Sequence, residues 1–171
     1  MTPTRRRVLL GGAALVGLAA VGAATEGQPS AVRAPREPLR VLSPRAFAAL
    51  AAVADRVIPP TDGLPTPWAL RVPEKVDALL DALPPGAGEE VRAALLLLES
   101  PTVGLVLGGA PRPFSRLPPD AQDRVLAAWR DSRAQVRRRV WKATVSLVKS
   151  AYWADPAVDA FLGYARLRFP S

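Results

Sequence analysis

Lysine, tyrosine, serine and the carboxylates are the side chains through which this chain could do covalent or acid–base work, because its 171 residues include no His and no Cys. Without imidazole there is no Ser-His or Cys-His nucleophile pair and no His-ligated haem. Without thiolate there is no disulfide framework, no iron–sulfur cluster, no covalent c-type haem and no zinc–thiolate site. A metal held by carboxylates alone would still be chemically possible. Lys142 and Lys149 have no carboxylate or Ser constellation beside them suited to catalysis. Gly108-Gly109 lacks the remaining glycines and the following Lys of a phosphate-cradling loop. No catalytic, cofactor-binding or metal-ligating residue is assigned on this chain, which reads as one that positions something rather than one that reacts.

The elements that would do the positioning are helices. Hydrophobic residues make up 49% of the chain and are mostly Ala, Leu and Val, with a single Ile and only 6% aromatics, so helix is favoured over strand. No alternating run appears, and nineteen prolines divide the sequence into blocks. The expectation is an all-α, compact bundle of five to six short helices joined by Pro-rich connectors, occupying residues 43–171 as a single domain. Ser43-Pro44 is an N-cap followed by Pro at the first helical position, and Pro59-Pro60 stops that helix. Pro73 opens a second helix carrying Val76, Leu79, Leu80 and Leu83, and a third runs from Glu89 to Glu99. Residues 102–110 read either as a short buried helix or as an apolar loop, and their glycines favour an irregular packed segment. Asp120 to Asp155 is free of Pro, and a stripe runs through Val125, Trp129, Ser132, Val136, Val140, Ala143 and Leu147. Asp155-Pro156 caps a last short helix containing Val158, Phe161 and Leu162.

Ahead of this body, residues 1–24 have the layout of an export signal. Thr4-Arg5-Arg6-Arg7 is basic and Val8 to Ala24 carries no charge, with Val21/Ala23 or Gly22/Ala24 as small-residue cleavage pairs. Arg5 and Arg6, followed by Val8-Leu9-Leu10 and a glycine-diluted apolar run, resemble the twin-arginine consensus. An uncleaved membrane anchor is the alternative, since seventeen apolar residues reach about 26 Å as a helix. Both readings place the body beyond the cytoplasmic membrane, in the periplasm; an ordinary cytoplasmic helix is the remaining reading of the segment. Loss of the segment removes three arginines and no acid, lowering the net charge from +8 to +5. Residues 25–42, with Pro29, Pro35 and Pro38, read as a flexible tether. The basic stretch from Arg124 to Lys142 reads first as a solvated face, and next as a contact for an acidic protein or lipid headgroups. Nucleic acid is not expected, because Trp129 and Trp141 fall on or near the apolar stripe and read as core rather than as stacking platforms.

Three stretches, taken in order, resemble the gluconate 2-dehydrogenase subunit 3 family, the small subunit of membrane-associated flavin dehydrogenases. They are Leu42-Ser43-Pro44 leading into Ala54-Asp55-Arg56-Val57-Ile58-Pro59-Pro60-Thr61-Asp62, then Phe114-Ser115-Arg116-Leu117 with Arg124 to Trp129, and last Tyr152-Trp153-Ala154-Asp155-Pro156 closing on Leu162-Gly163-Tyr164. The tail departs from the family's usual Pro and Gly, reading Ala165-Arg166-Leu167-Arg168-Phe169-Pro170.

The resemblance implies a non-catalytic accessory subunit that binds, stabilises and co-exports an FAD-dependent dehydrogenase of the glucose–methanol–choline type. It implies no cofactor in this chain and FAD in the partner. Its partners would be the flavin-binding large subunit and the twin-arginine translocase, with a cytochrome c subunit as a further member of some complexes. Pro59, Pro60, Tyr152, Trp153 and Tyr164 become interface positions on this reading, against the plainer one in which prolines end a helix and aromatics fill a core. The alternative function is a free-standing exported or membrane-tethered helical protein whose basic helix contacts lipid or protein.

Overall fold

The computed structural model describes residues 33–84 and 86–163. The leader with Arg5 and Arg6, the first part of the tether and Tyr164 lie outside the described residues. Those described form an all-helical bundle of seven α-helices with no strand: α1 (Pro44–Val57), α2 (Val72–Asp81), α3 (Glu89–Leu98), α4 (Pro101–Gly108), α5 (Pro119–Arg130), α6 (Gln135–Trp153) and α7 (Pro156–Phe161), with a 3-10 turn at Phe114–Arg116 before α5. Proline sits in the first two positions of α1, α2, α4, α5 and α7. There its missing N–H costs nothing and its fixed φ already suits the helix. Ser43 and Asp155 cap α1 and α7, accepting from the main-chain N–H of Ala46 and Ala157.

Helix α1 is the centre of the bundle. Ala46, Ala48, Ala49, Ala51 and Ala54 are all buried, with Phe47, Leu50 and Val53 between them. Small side chains on several faces let α2, α3, α5, α6 and the 3-10 turn all approach one rod. Two apolar clusters result. One gathers Ala49, Leu50 and Ala54 with Val76 and Leu80 of α2, Leu95 and Leu96 of α3, and Val148 and Tyr152 of α6. The other places Val53 with Leu98, Phe114, Val125, Trp129 and Val140.

Three expectations are corrected. Residues 102–110 contain a regular helix, α4, and it is not buried. Leu105 and Val106 are 53% and 71% exposed, while Gly104 and Gly108 face inward. The glycines are there for close approach: a Cβ on Gly104 would lie 1.9 Å from the Arg112 carbonyl oxygen, and one on Gly108 would meet Leu117 at 2.8 Å. Gly109, at φ 81°, then ends the helix in the left-handed conformation.

The window from Asp120 to Asp155 is two helices rather than one continuous stripe. The chain breaks at residues 131–134, where Ser132 Oγ accepts from the Ala134 N–H and Arg138 donates to the Ser132 carbonyl. Beyond the break the buried line shifts to Val140, Thr144, Val148, Ala151 and Tyr152, leaving Ala143 and Leu147 at its flank.

Residues 33–42, expected to belong to a flexible tether, are seated on the body. The buried carboxylate of Asp77 accepts three successive main-chain N–H groups, from Arg40 at 2.6 Å, Val41 at 3.2 Å and Leu42 at 2.8 Å. Arg33 pairs with Asp55 at 2.7 Å, and the guanidinium groups of Arg33 and Arg36 each lie 4.9 Å from the centre of the Trp68 ring. Glu37 pairs with Arg71. The strap is thus held by a charge-assisted main-chain clamp, with cation–π contacts along its length.

Two outcomes follow from this packing. Gly104→Ala gains about 1 kcal/mol of helix propensity yet is expected to destabilise the protein by about 1–3 kcal/mol net, because rigid backbone oxygens block the new methyl group. Urea denaturation should show a lower midpoint, and an unchanged or raised one would contradict the packing. Asp77→Asn replaces one acceptor oxygen with an N–H donor facing N–H groups, at a cost of about 1–3 kcal/mol. Limited trypsin digestion should then cut after Arg36 or Arg40 well before it attacks the body. Equal resistance in both proteins would show that the clamp does not hold the strap.

Candidate functional site

The described residues contain no group of three or more Asp or Glu placed to hold a metal ion. Several of their buried polar groups bond within the fold, while Arg45 Nε and Nη1 find no hydrogen-bond partner among the described residues. Glu99 is fully buried and accepts from the Ser115 N–H at 3.0 Å and its hydroxyl at 2.5 Å, while Arg45 donates to the Glu99 carbonyl at 3.1 Å. These bonds tie the start of α1 and the end of α3 to the 3-10 turn. Gln122 on α5 donates to the Phe114 carbonyl of the same turn. Ser115 and Gln122 line a small cavity of about 100 Å³ together with Arg33 and Asp55, and larger grooves open at the surface.

The interface positions named from sequence divide by burial. Pro59 and Pro60 are exposed directly after α1. Trp153 is 47% exposed at the end of α6, with its ring edge-on to that of Tyr152 at 5.1 Å. Tyr152 itself is in the core, 1% exposed, and donates its hydroxyl to the Pro65 carbonyl at 2.9 Å. Burial pushes its ionisation up, so the neutral phenol that makes this bond is the form that persists. That side chain serves the fold and offers nothing to a surface. Tyr164 lies outside the described residues.

Distant stretches of sequence meet at this end of the bundle. The Pro65 carbonyl anchors the α1–α2 loop to α6, and a Cβ on Gly63 in that loop would strike the Phe161 ring at 2.4 Å. Lys75 of α2 pairs with Asp155 at the start of α7. Between them opens a largely apolar groove of about 550 Å³ lined by Ala78, Leu79, Ala151, Ala154 and Pro156. Leu79, Phe161 and Leu162 are 40%, 49% and 48% exposed. Together with Trp153 they put large apolar side chains at the surface where a monomer gains nothing from them.

A second groove, of about 390 Å³, runs between α5 and α6 against the end of α1. Val57, Leu126, Ala127, Trp141 and Val145 contribute apolar surface, and Arg56, Arg130 and Lys149 contribute charge. Its carboxylate, Asp123, takes a two-pronged bond from Arg56 at 2.7 and 2.6 Å. That bond and the charge behind it hold Asp123 below the ordinary carboxylate range. The stabilisation from the pair is therefore complete at neutral pH and is lost as the pH falls through the lowered value.

Sequence reasoning missed Asp77, Glu99 and Arg45. Each lies on a helix or at its end, with no pattern to mark it as buried. It also missed the outward apolar face of α4. No single described helix is long and apolar enough to cross a membrane; α3 and α4 would reach that composition only as a pair, and they bend by 68°.

No curated protein and no solved structure matches the chain. The family model described as gluconate 2-dehydrogenase subunit 3 does match, over residues 44–170. That span takes in every helix described above, from the capped start of α1 to α7. The chain therefore belongs to the gluconate 2-dehydrogenase subunit 3 family, whose members are subunits of a dehydrogenase complex.

Proposed function

We propose that this chain is a non-catalytic accessory subunit that binds, stabilises and co-exports an FAD-dependent dehydrogenase of the glucose–methanol–choline type. The family match over residues 44–170 carries the reading. Three other observations support it. The sequence has no His or Cys with which to hold haem or run imidazole or thiolate chemistry. Asp77, Glu99 and Gln122, polar side chains of the interior, are bonded to main-chain and side-chain groups of the fold. Large apolar side chains stand exposed on α2, α4, α6 and α7, as they would on a subunit awaiting a larger partner.

The leader supplies the export half of the proposal. A flavoprotein that acquires FAD while folding in the cytoplasm must cross the membrane folded, and a twin-arginine signal routes folded cargo. A partner without a signal of its own could travel on Arg5 and Arg6 of this chain to the periplasm, possession of the signal being the small subunit's contribution. Membrane association and any cytochrome c subunit would then belong to the assembled complex.

The test is to change Arg5→Lys together with Arg6→Lys in the native host. Both this chain and the dehydrogenase activity should disappear from the periplasmic fraction while folded protein accumulates in the cytoplasm. Undiminished periplasmic activity would overturn co-export. Purified alone, the chain should show no flavin or haem absorbance and no dye reduction. A stoichiometric chromophore would overturn the accessory role.

A further inference from the structure

We infer that the groove between α5 and α6 seats an acidic amphipathic segment of the large subunit, with its apolar side chains against Trp141 and Val145 and its carboxylates on Lys149 and, at the other end of the strip, Arg137. This rests on the accessory-subunit reading and adds to it the place and the chemistry of one contact.

Charge complementarity points to an acidic occupant. Residues 130–153 carry seven cations and a single carboxylate, Asp131, and α6 itself has no acid at all. Part of this charge is already used. Arg130 bonds Asp131, Arg138 bonds the Ser132 carbonyl, and Arg139 crosses to Glu90 of α3 at 2.6 Å. Arg137, Lys142 and Lys149 form no ion pair among the described residues. Asp123, the carboxylate lining the groove, is occupied by Arg56 and does not neutralise Lys149. A strip of apolar surface bordered by uncompensated cations matches the opposite pattern, an apolar stripe flanked by Asp and Glu.

Shape favours a protein segment over a lipid surface. Arg137, Trp141, Val145 and Lys149 follow one another at four-residue spacing along α6, so the cations lie at both ends of the apolar strip. Trp141 is half-buried, lining the groove and packed against the second apolar cluster. A helix that lies on a bilayer presents protruding apolar side chains, whereas a recessed strip is filled by side chains reaching into it.

Lys149→Glu in the full-length chain, compared with the charge-matched Arg92→Glu on α3, is titrated with the purified flavin-binding large subunit at low and high salt. Lys149 is exposed, and Arg92 is half-buried in a surface pair with Glu89 that contributes little to stability, so both variants should retain the helical circular dichroism of the parent protein with at most a small shift in urea midpoint. Lys149→Glu is expected to weaken binding roughly tenfold at low salt, with a flatter salt dependence, while Arg92→Glu changes it by less than about twofold. Unchanged affinity in Lys149→Glu, or equal weakening in both variants, would overturn the groove and leave the accessory reading standing. Failure of the parent chain to bind the flavoprotein would overturn that reading and the groove with it.

A second measurement locates the contact. Because the chain has no Cys, Lys149→Cys provides a unique thiol for a benzophenone cross-linker. Cross-linked peptides should map to an Asp- and Glu-rich segment of the large subunit. Mapping to a segment without acids would overturn the proposal. Binding of the isolated chain to phosphatidylglycerol vesicles that Lys149→Glu abolishes, with flavoprotein affinity intact, would make lipid the occupant and overturn it as well.

Discussion

The bundle depends on the narrowness of α1. A helix whose buried surface is built largely from alanine presents a slim rod, and neighbours can pack on several of its sides without being held apart by long side chains. Both apolar clusters draw on it, one through Ala49, Leu50 and Ala54, the other through Val53. A larger residue at one of these alanines would push outward on two or three helices together, so the cost would spread beyond the local contact. The same logic recurs at α4, where glycine replaces alanine because backbone from residues 110–112 comes closer than any Cβ allows.

Polar groups then decide how the helices begin and end relative to one another. Glu99 sits where α3 has finished and holds Ser115, while Arg45 at the start of α1 takes the Glu99 carbonyl. One residue thus joins three elements through its side chain and its main chain. Asp77 does the same for the strap, whose Leu39, Val41 and Leu42 pack against the larger apolar cluster beside it. Removing either carboxylate would strand several main-chain N–H or hydroxyl donors, and those losses exceed the value of one hydrogen bond.

Much of the fold was legible because proline punctuates it. Ser43-Pro44, Pro73 and Asp155-Pro156 mark helix starts that the structure contains, and Pro59-Pro60 follows the end of α1. The misreadings share a cause, which is that tertiary contacts reverse a local signal. Glycine in α4 looked like a loop former, yet its purpose is close approach, visible only once residues 110–112 are folded back on it. The break at 131–134 contains neither Gly nor Pro and depends on Arg138 reaching a carbonyl six residues earlier. The strap looked like a tether since its anchor, Asp77, lies 35 or more residues away in sequence. Among the interface positions, Trp153 and the two prolines are exposed and Tyr152 is not. Adjacent positions on a helix point roughly 100° apart, so one of two neighbouring aromatics turns inward while the other stays at the surface.

The seated strap bears on how an escort would work. Were residues 33–42 a free chain, those ten residues could reach up to about 35 Å from the folded body. From Arg33 onward that stretch instead lies on the body. The anchors that shorten this reach, Asp55, Trp68, Arg71 and Asp77, come from α1, α2 and the loop between them, and are brought together only when that part of the bundle has formed. Seating of the strap is therefore coupled to folding of that part of the bundle, through one buried carboxylate and two arginines stacked on Trp68. On the export reading, a signal ahead of Arg33 would be joined to a strap that is seated only on a folded body.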